Sequence, residues 1–290
     1  MNCRISETLV RESVYQFVST IQALYGPLRP QNEDEFVQIL NEQEKSGFRG
    51  CAGCLDCTHV TWKNCPTALA GQFQGKENEC TLLIEAVADT NLKIWHAACV
   101  LPGSWNDINI LDKTDFIDQI LQGKYVFPYQ LNGNNYTSAY FLVDGIYPSY
   151  ECFVQLLTDP SGQKNVHFTE RHEAHRKSVE IAFGVLKQKF QILSKPLLYW
   201  DKEFIRDVFE CCIILHNLIR DYRIEEEEEK LTEDEEERLL INKTAASVLI
   251  QAYQKMCLNE RFTKLTDQQR YHQLRADLID HLWDFKGQCN

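Results

Sequence analysis

Three carboxylates in this chain stand where carboxylates are expensive. Asp56 sits inside the strand-like stretch GCLDCTH, and Asp144 ends the apolar run AYFLVDG. Glu180 borders an apolar stripe of Val179, Ala182, Phe183, Leu186 and Phe190. A charge taken out of water is costly unless something pairs with it. Taken singly, each acid reads as a cap or a surface charge. Together, with two of them in strand-like segments, they suit two-metal phosphoryl transfer. In that chemistry hard oxygen ligands hold Mg²⁺ or Mn²⁺ ions about 3.5–4 Å apart, one activating the attacking oxygen and the other stabilising the leaving one. A short Asp side chain on a rigid strand fixes a metal well. Gly184, one turn beyond Glu180, leaves space beside it.

The elements that must position these acids follow from periodicity. Residues 5–25 carry Val10, Val14, Phe17, Val18, Ile21 and Leu24 at helical spacing, with Ser6 as a cap, and GPLRP ends the helix. A polar helix start and an acidic connector lead to Gly50. Residues 51–101 change to strand patterns: CLDCTHVTW, then CTLLIEAVADT and LKIWHAACVL as a hairpin turning at Thr90-Asn91. PGSWNDINIL starts a helix with Ser104 as a cap, and 139–144 is the next strand. Residues 172–193 and about 202–222 are amphipathic helices. The tail, 243–284, reads as two more. Strands, helix, strand and then helices make an α/β fold with a mixed sheet.

Composition permits this reading. The chain has 290 residues, 44% hydrophobic and 25% charged, with no apolar run long enough to span a membrane and no signal-peptide pattern. It reads as soluble and intracellular. Among its 12 cysteines, Cys80, Cys99, Cys211 and Cys212 fall in apolar segments and read as reduced core residues. The net charge of −12 argues at first against nucleic acid. However, residues 225–237 hold ten acids and one lysine, which leaves −3 on the remainder. A local basic surface is therefore compatible with the total.

Several blocks, in order, resemble the transposases of the PIF/Harbinger superfamily, in particular the plant transposon protein branch. They are GCLDCTHVTWKNCP, GQFQGKE, LLIEAVAD, IWHAACVLPGSWNDINILD, YFLVDGIYP, AHRKSVEIAFGVLKQKF, DVFECCIILHNLIRD and LRADLIDHLW. The resemblance is dense over about 51–222. It implies an RNase H-like catalytic fold with mixed sheet, flanked by an N-terminal helix and C-terminal helices. It implies a DDE triad of Asp56, Asp144 and Glu180, the last two separated by 35 residues. These would ligate Mg²⁺ or Mn²⁺ for DNA strand cleavage and transfer at transposon ends. The implied domains are 1–50, a helix-turn-helix remnant and linker; 51–222, the endonuclease; 223–242, an acidic linker; and 243–290, a helical tail. The implied partners are transposon terminal repeats and target DNA, a separate Myb-like DNA-binding protein and further copies of the chain, with no membrane. The implied location is the nucleus, or the cytoplasm without a partner. The alternative is a domesticated, catalytically inactive descendant acting as a nuclear interaction or DNA-binding partner.

Other residues carry two readings each. Asp107 either supports the site or is a helix N-terminal acid stabilised by the dipole. Arg176 and Lys187 share the side of Glu180 and would hold DNA phosphates. Around them lie Lys164, Arg171, His172, His175, Lys177 and Lys189. His59 falls in a matched block and reads equally as an accessory or a structural residue. His96 reads as buried and hydrogen-bonded. Cys51, Cys54, Cys57 and Cys65 with His59 do not gather easily at one zinc ion, because neighbours on a strand face opposite ways. Trp62, Trp95, Trp105 and Trp200 read as core or strand-face residues. His216 and Asn217 read as polar core residues satisfied locally.

Overall fold

The computed structural model describes residues 6–28, 30, 32–75, 78–105, 110–111, 113–227, 253 and 255–288. In chain order the elements are α1 (Glu7–Tyr25), α2 (Glu33–Lys45), β1 (Cys51–Thr61), α3 (Thr67–Phe73), β2 (Thr81–Ala88) and β3 (Ile94–Pro102). They continue with α4 (Phe116–Leu121), β4 (Val126–Leu131), β5 (Asn134–Ser138), β6 (Tyr140–Val143), β7 (Phe153–Gln155) and α5 (Gln163–Lys189). The last are α6 (Gln191–Ser194), α7 (Lys202–Glu227), α8 (Leu258–Leu265) and α9 (Gln268–Gln288).

Five strands form one sheet in the order β3-β2-β1-β6-β7. The β1–β2 and β2–β3 pairs are antiparallel, while β1–β6 and β6–β7 are parallel. This is a mixed sheet with flanking helices, consistent with the RNase H-like fold. β6 is four residues of uninterrupted buried side chain, the pattern expected of a strand covered on both faces. Phe36, Trp95, Phe116, Tyr125, Phe141 and Phe153 form a ring cluster that ties α2, α4, β6 and β7 to the sheet.

Gly53 makes a kink in β1 possible. The β1–β6 register shifts between Cys51 and Gly53, and Gly53 takes φ +135°. A Cβ there would stand 2.6 Å from the Ala88 carbonyl oxygen. Only glycine adopts such a backbone at no steric cost.

Several elements depart from the sequence reading. The acidic connector is largely helix: Asn32 caps α2 by accepting from Glu35 N at 2.9 Å, and Phe36, Val37, Ile39, Leu40 and Gln43 are buried. α5 begins nine residues before the expected start at 172. The β4–β5 hairpin and β7 were not expected. α7 runs through Glu227, the start of the acidic stretch. The rest of the 223–242 linker, Asp107 with its helix start, and 243–252 of the tail lie outside the described residues.

α1 begins as expected, with Ser6 Oγ accepting from Leu9 N at 3.2 Å. It packs along α7 through Val18, through Tyr15 on Phe204 (ring centroids 3.9 Å apart) and through a Gln22–Glu210 hydrogen bond of 3.0 Å. Among the described residues no helix is long and apolar enough to cross a membrane.

Candidate active site

The parallel pairing of β1 with β6 places the two aspartates side by side. Cys54 is in register with Leu142, so two residues further on Asp56 comes level with Asp144, the first residue beyond β6. The chain turns away at Gly145, whose N–H donates to Asp144 Oδ1 at 2.6 Å. A Cβ on Gly145 would meet nothing within 4 Å, so the strand end opens outward.

α5 brings the third acid. It packs on β1, running in the same direction along it. Cys54 Sγ donates to the His175 carbonyl at 3.4 Å, and Lys187 Nζ donates to Thr58 Oγ1 at 2.8 Å and the His59 carbonyl at 3.0 Å. Between these anchors, one guanidinium links two acids. Arg176 Nη1 lies 3.3 Å from Asp56 Oδ2, and Nη2 lies 2.9 Å from Glu180 Oε1. Asp56 and Glu180 therefore stand within the span of one arginine head group. Glu180 is more open than its stripe suggested, with a side chain 47% exposed against 24% for Asp56. Nothing lies within 4 Å of a Cβ built on Gly184, so the space expected beside Glu180 is present.

All three acids supply hard oxygen donors, so the donor chemistry suits Mg²⁺ or Mn²⁺. As arranged, however, no group of three or more His, Cys, Asp or Glu among the described residues stands close enough to hold a metal ion. Arg176, not a shared point, is what Asp56 and Glu180 have in common.

The basic residues of α5 turn inward more than the sequence implied. His172 is buried and donates from Nε2 to the Val154 carbonyl at 2.8 Å; burial pushes its pKa down to about 4. His175 is buried against Gln43 and pushed down to about 3 by burial, with help from the Arg171 charge. Both are neutral at pH 7, so neither serves as a cationic phosphate ligand. Arg171 donates to the Ser46 carbonyl, and Lys164 pairs with Asp280. Burial lowers the Lys187 pKa.

His59 is exposed, and its Nδ1 hydrogen-bonds Thr81 Oγ1 at 3.1 Å. Trp62 and Trp95 are core residues, donating to the carbonyls of Tyr199 and Ala52. Trp200 instead stands 67% exposed, which corrects its core assignment. His216 and Asn217 are satisfied by the β2–β3 hairpin and not within their own helix. Asn217 accepts from Ile94 N at 2.9 Å and donates to its carbonyl at 2.6 Å, completing a strand edge; His216 donates to the Leu92 carbonyl at 2.7 Å.

His96 is buried as expected, but its Nε2 has no hydrogen-bond partner and lies 3.9 Å from Glu85 Oε2. Glu85 itself is fully buried, with neither carboxylate oxygen hydrogen-bonded. It pairs across the ladder with Cys57 and so occupies the sheet face opposite Asp56. The signal was legible, because an acid inside TLLIEAVA is as anomalous as Asp56 in its own strand.

The sheet order, with Asp56 inside β1, Asp144 just beyond β6 and a long helix packed on β1, defines an RNase H-like α/β protein. Residues 26–230 match the plant transposon protein family, and the chain belongs to it, a family of Harbinger-type transposases and their derivatives. It is 26% identical over 230 residues to the Protein ALP1-like of Arabidopsis thaliana, covering 75% of this chain and 54% of that protein. It is 25% identical over 228 residues to the Arabidopsis thaliana protein Antagonist of Like Heterochromatin Protein 1, covering 75% of this chain and 56% of that one. The chain thus spans about half the length of these curated relatives. No solved structure matches it.

Proposed function

We propose that this chain is a metal-dependent DNA nuclease of transposase type, cleaving phosphodiester bonds at transposon ends and transferring the freed 3′-hydroxyl to target DNA. The observation that carries this is the level placement of Asp56 and Asp144 on adjacent parallel strands, with Glu180 brought to Asp56 through Arg176. Bound divalent ions would activate the attacking oxygen and stabilise the leaving one. Asp56 would hold them from within β1, Asp144 from the end of β6 and Glu180 from the facing helix, all three ionised. Lys187, anchored on Thr58 and the His59 carbonyl, fixes the helix against β1. Arg176 contacts two of the acids, and phosphate contact by it and Lys187 belongs to this reading. So do the nuclease boundaries 51–222, Asp107 as a supporting acid, His59 as an accessory, a homo-oligomer, a Myb-like partner and a nuclear location.

A second reading is a domesticated protein that keeps the fold and acts through a partner. The printed name of one relative, an antagonist of another protein, favours it. So does the absence, among the described residues, of a metal-ready cluster. One experiment separates the two. The purified chain is incubated with labelled terminal-repeat DNA and Mn²⁺, alone and with a Myb-like partner, beside D144N. Cleavage by the parent and not by D144N supports the nuclease. No cleavage by either under all conditions supports the domesticated reading.

A further inference from the structure

Arg176 occupies the position that a metal at Asp56 and Glu180 would need. A guanidinium keeps its proton at any working pH, so it cannot be neutralised in place. It leaves only by moving. Two features make that movement accessible. Its Nε is buried with no hydrogen-bond partner, so the head group is held mainly by the two carboxylates it bridges. Glu180 is half exposed beside the open space at Gly184, which gives its side chain room to change rotamer once released.

We propose that Arg176 is an exchangeable internal counter-ion: it holds Asp56 and Glu180 together in the metal-free protein and must swing away before a divalent cation can take both. The proposal rests on the metal-site reading above and deepens it. Without Arg176 the two acids would repel each other and drift apart, because like charges at short range are unfavourable. With it they stay within the span of one guanidinium, but every metal ion competes with an intramolecular cation. The apparent affinity is therefore reduced by the fraction of molecules in which Arg176 has left. A cation released at that moment is also placed to meet a phosphate arriving with the metal.

The test uses the full chain stripped of metal and titrated with Mn²⁺, with free Mn²⁺ read by electron paramagnetic resonance. R176Q should bind Mn²⁺ on the order of tenfold more tightly than the parent, since the competitor is gone. R176K should fall between, because a single ammonium cannot bridge two carboxylates as a guanidinium does. D144N should weaken binding in both the parent and R176Q. Mn²⁺ should also raise the melting temperature of R176Q more than that of the parent. Unchanged or weaker binding in R176Q and R176K, with Asp144 still governing affinity, would overturn the counter-ion role and leave the metal site standing. Binding indifferent to Asp144 in every background would overturn both. Circular dichroism of each variant fixes whether it is folded; should R176Q fail to fold, the ordering of R176K against the parent decides.

Discussion

At the level of single residues, the chain treats its misplaced acids in two different ways. Asp144 and Asp56 were conspicuous in the sequence because they interrupt apolar runs, and they lie level with each other on the adjacent interior strands β6 and β1. Asp144 Oδ1 accepts the Gly145 N–H, and an asparagine oxygen accepts the same bond. D144N should therefore melt within about 2 °C of the parent while losing metal-dependent cleavage by a factor of at least ~10³, the size expected when a charged ligand is removed from a catalytic centre. A melt and a cleavage assay on one preparation check this. A large drop in melting temperature would show that Asp144 is there for the fold. Glu85 interrupts an apolar run in the same way, inside the matched block LLIEAVAD, but faces the other side of the sheet. It is fully buried with both oxygens unbonded, and His96 Nε2 lies 3.9 Å from one of them. Replacing an uncompensated buried acid by an apolar side chain of similar length removes a desolvation cost on the order of 1–3 kcal/mol. E85M should thus raise the denaturation midpoint, as seen in urea titration at pH 7.5. A lowered midpoint would mean that Glu85 has a bonding role its surroundings do not reveal.

At the level of elements, helix and strand periodicity gave the parts that bear the candidate acids and missed parts that support them. β1, the β2–β3 hairpin, β6, α5 and α7 each have a long apolar pattern of a single period, so they were legible. α2 was not, because its buried residues Phe36, Val37, Ile39 and Leu40 form a short group among acids, and its burial depends on β1 and the aromatic cluster. β7 is three residues long and is a strand only because β6 offers it a parallel edge. Arg176 was legible as a neighbour of Glu180 from its spacing of one turn. Its bond to Asp56 was not, since it depends on which strand α5 lies across. Two glycines test whether this element geometry is right. G184A adds a methyl where nothing lies within 4 Å and gains helix propensity. It should stabilise the protein by about 0.5–1 kcal/mol. G53A forces a side chain onto a φ of +135° and 2.6 Å from the Ala88 carbonyl oxygen. It should cost about 2 kcal/mol or more and, by shifting the β1 register beside β6, weaken any metal binding at Asp56 and Asp144. Opposite signs in two chemical-denaturation curves are the expected outcome. Equal destabilisation by both would place Gly184 in a packed contact.

For the molecule as a whole, buried histidines, two of them among the basic residues around Glu180, bear on stability. Three histidines that hold elements together are buried in the neutral form. His172 bonds the β7 carbonyl of Val154, His175 bonds Gln43 of α2, and His216 bonds the β2–β3 turn at Leu92. Burial, the largest cause in each case, lowers their pKa values to about 4, 3 and 4. In the unfolded chain a histidine takes its proton near pH 6.5. Between about pH 6.5 and pH 4 the unfolded state therefore holds three protons that the folded state refuses, and stability falls as pH falls through that window. Burial also raises the Glu210 pKa, but the large opposing shift belongs to one group. Asp89, at the end of β2, is pushed up to about 7 mainly by burial. Its folded form keeps a proton that the unfolded chain releases near pH 4, so its contribution to stability declines as pH rises from about 4 to 7. The net expectation is an uptake of about two protons on unfolding near pH 5.5, seen as a steep acid slope in the urea midpoint. D89N should steepen that slope toward three protons, because it removes the opposing titration while keeping an acceptor for the Lys93 N–H at 2.9 Å. A slope of less than one proton in the parent would mean that the histidine contacts joining α5 and α7 to the sheet are not kept closed in solution, and α5 could not then hold Glu180 and Arg176 against β1.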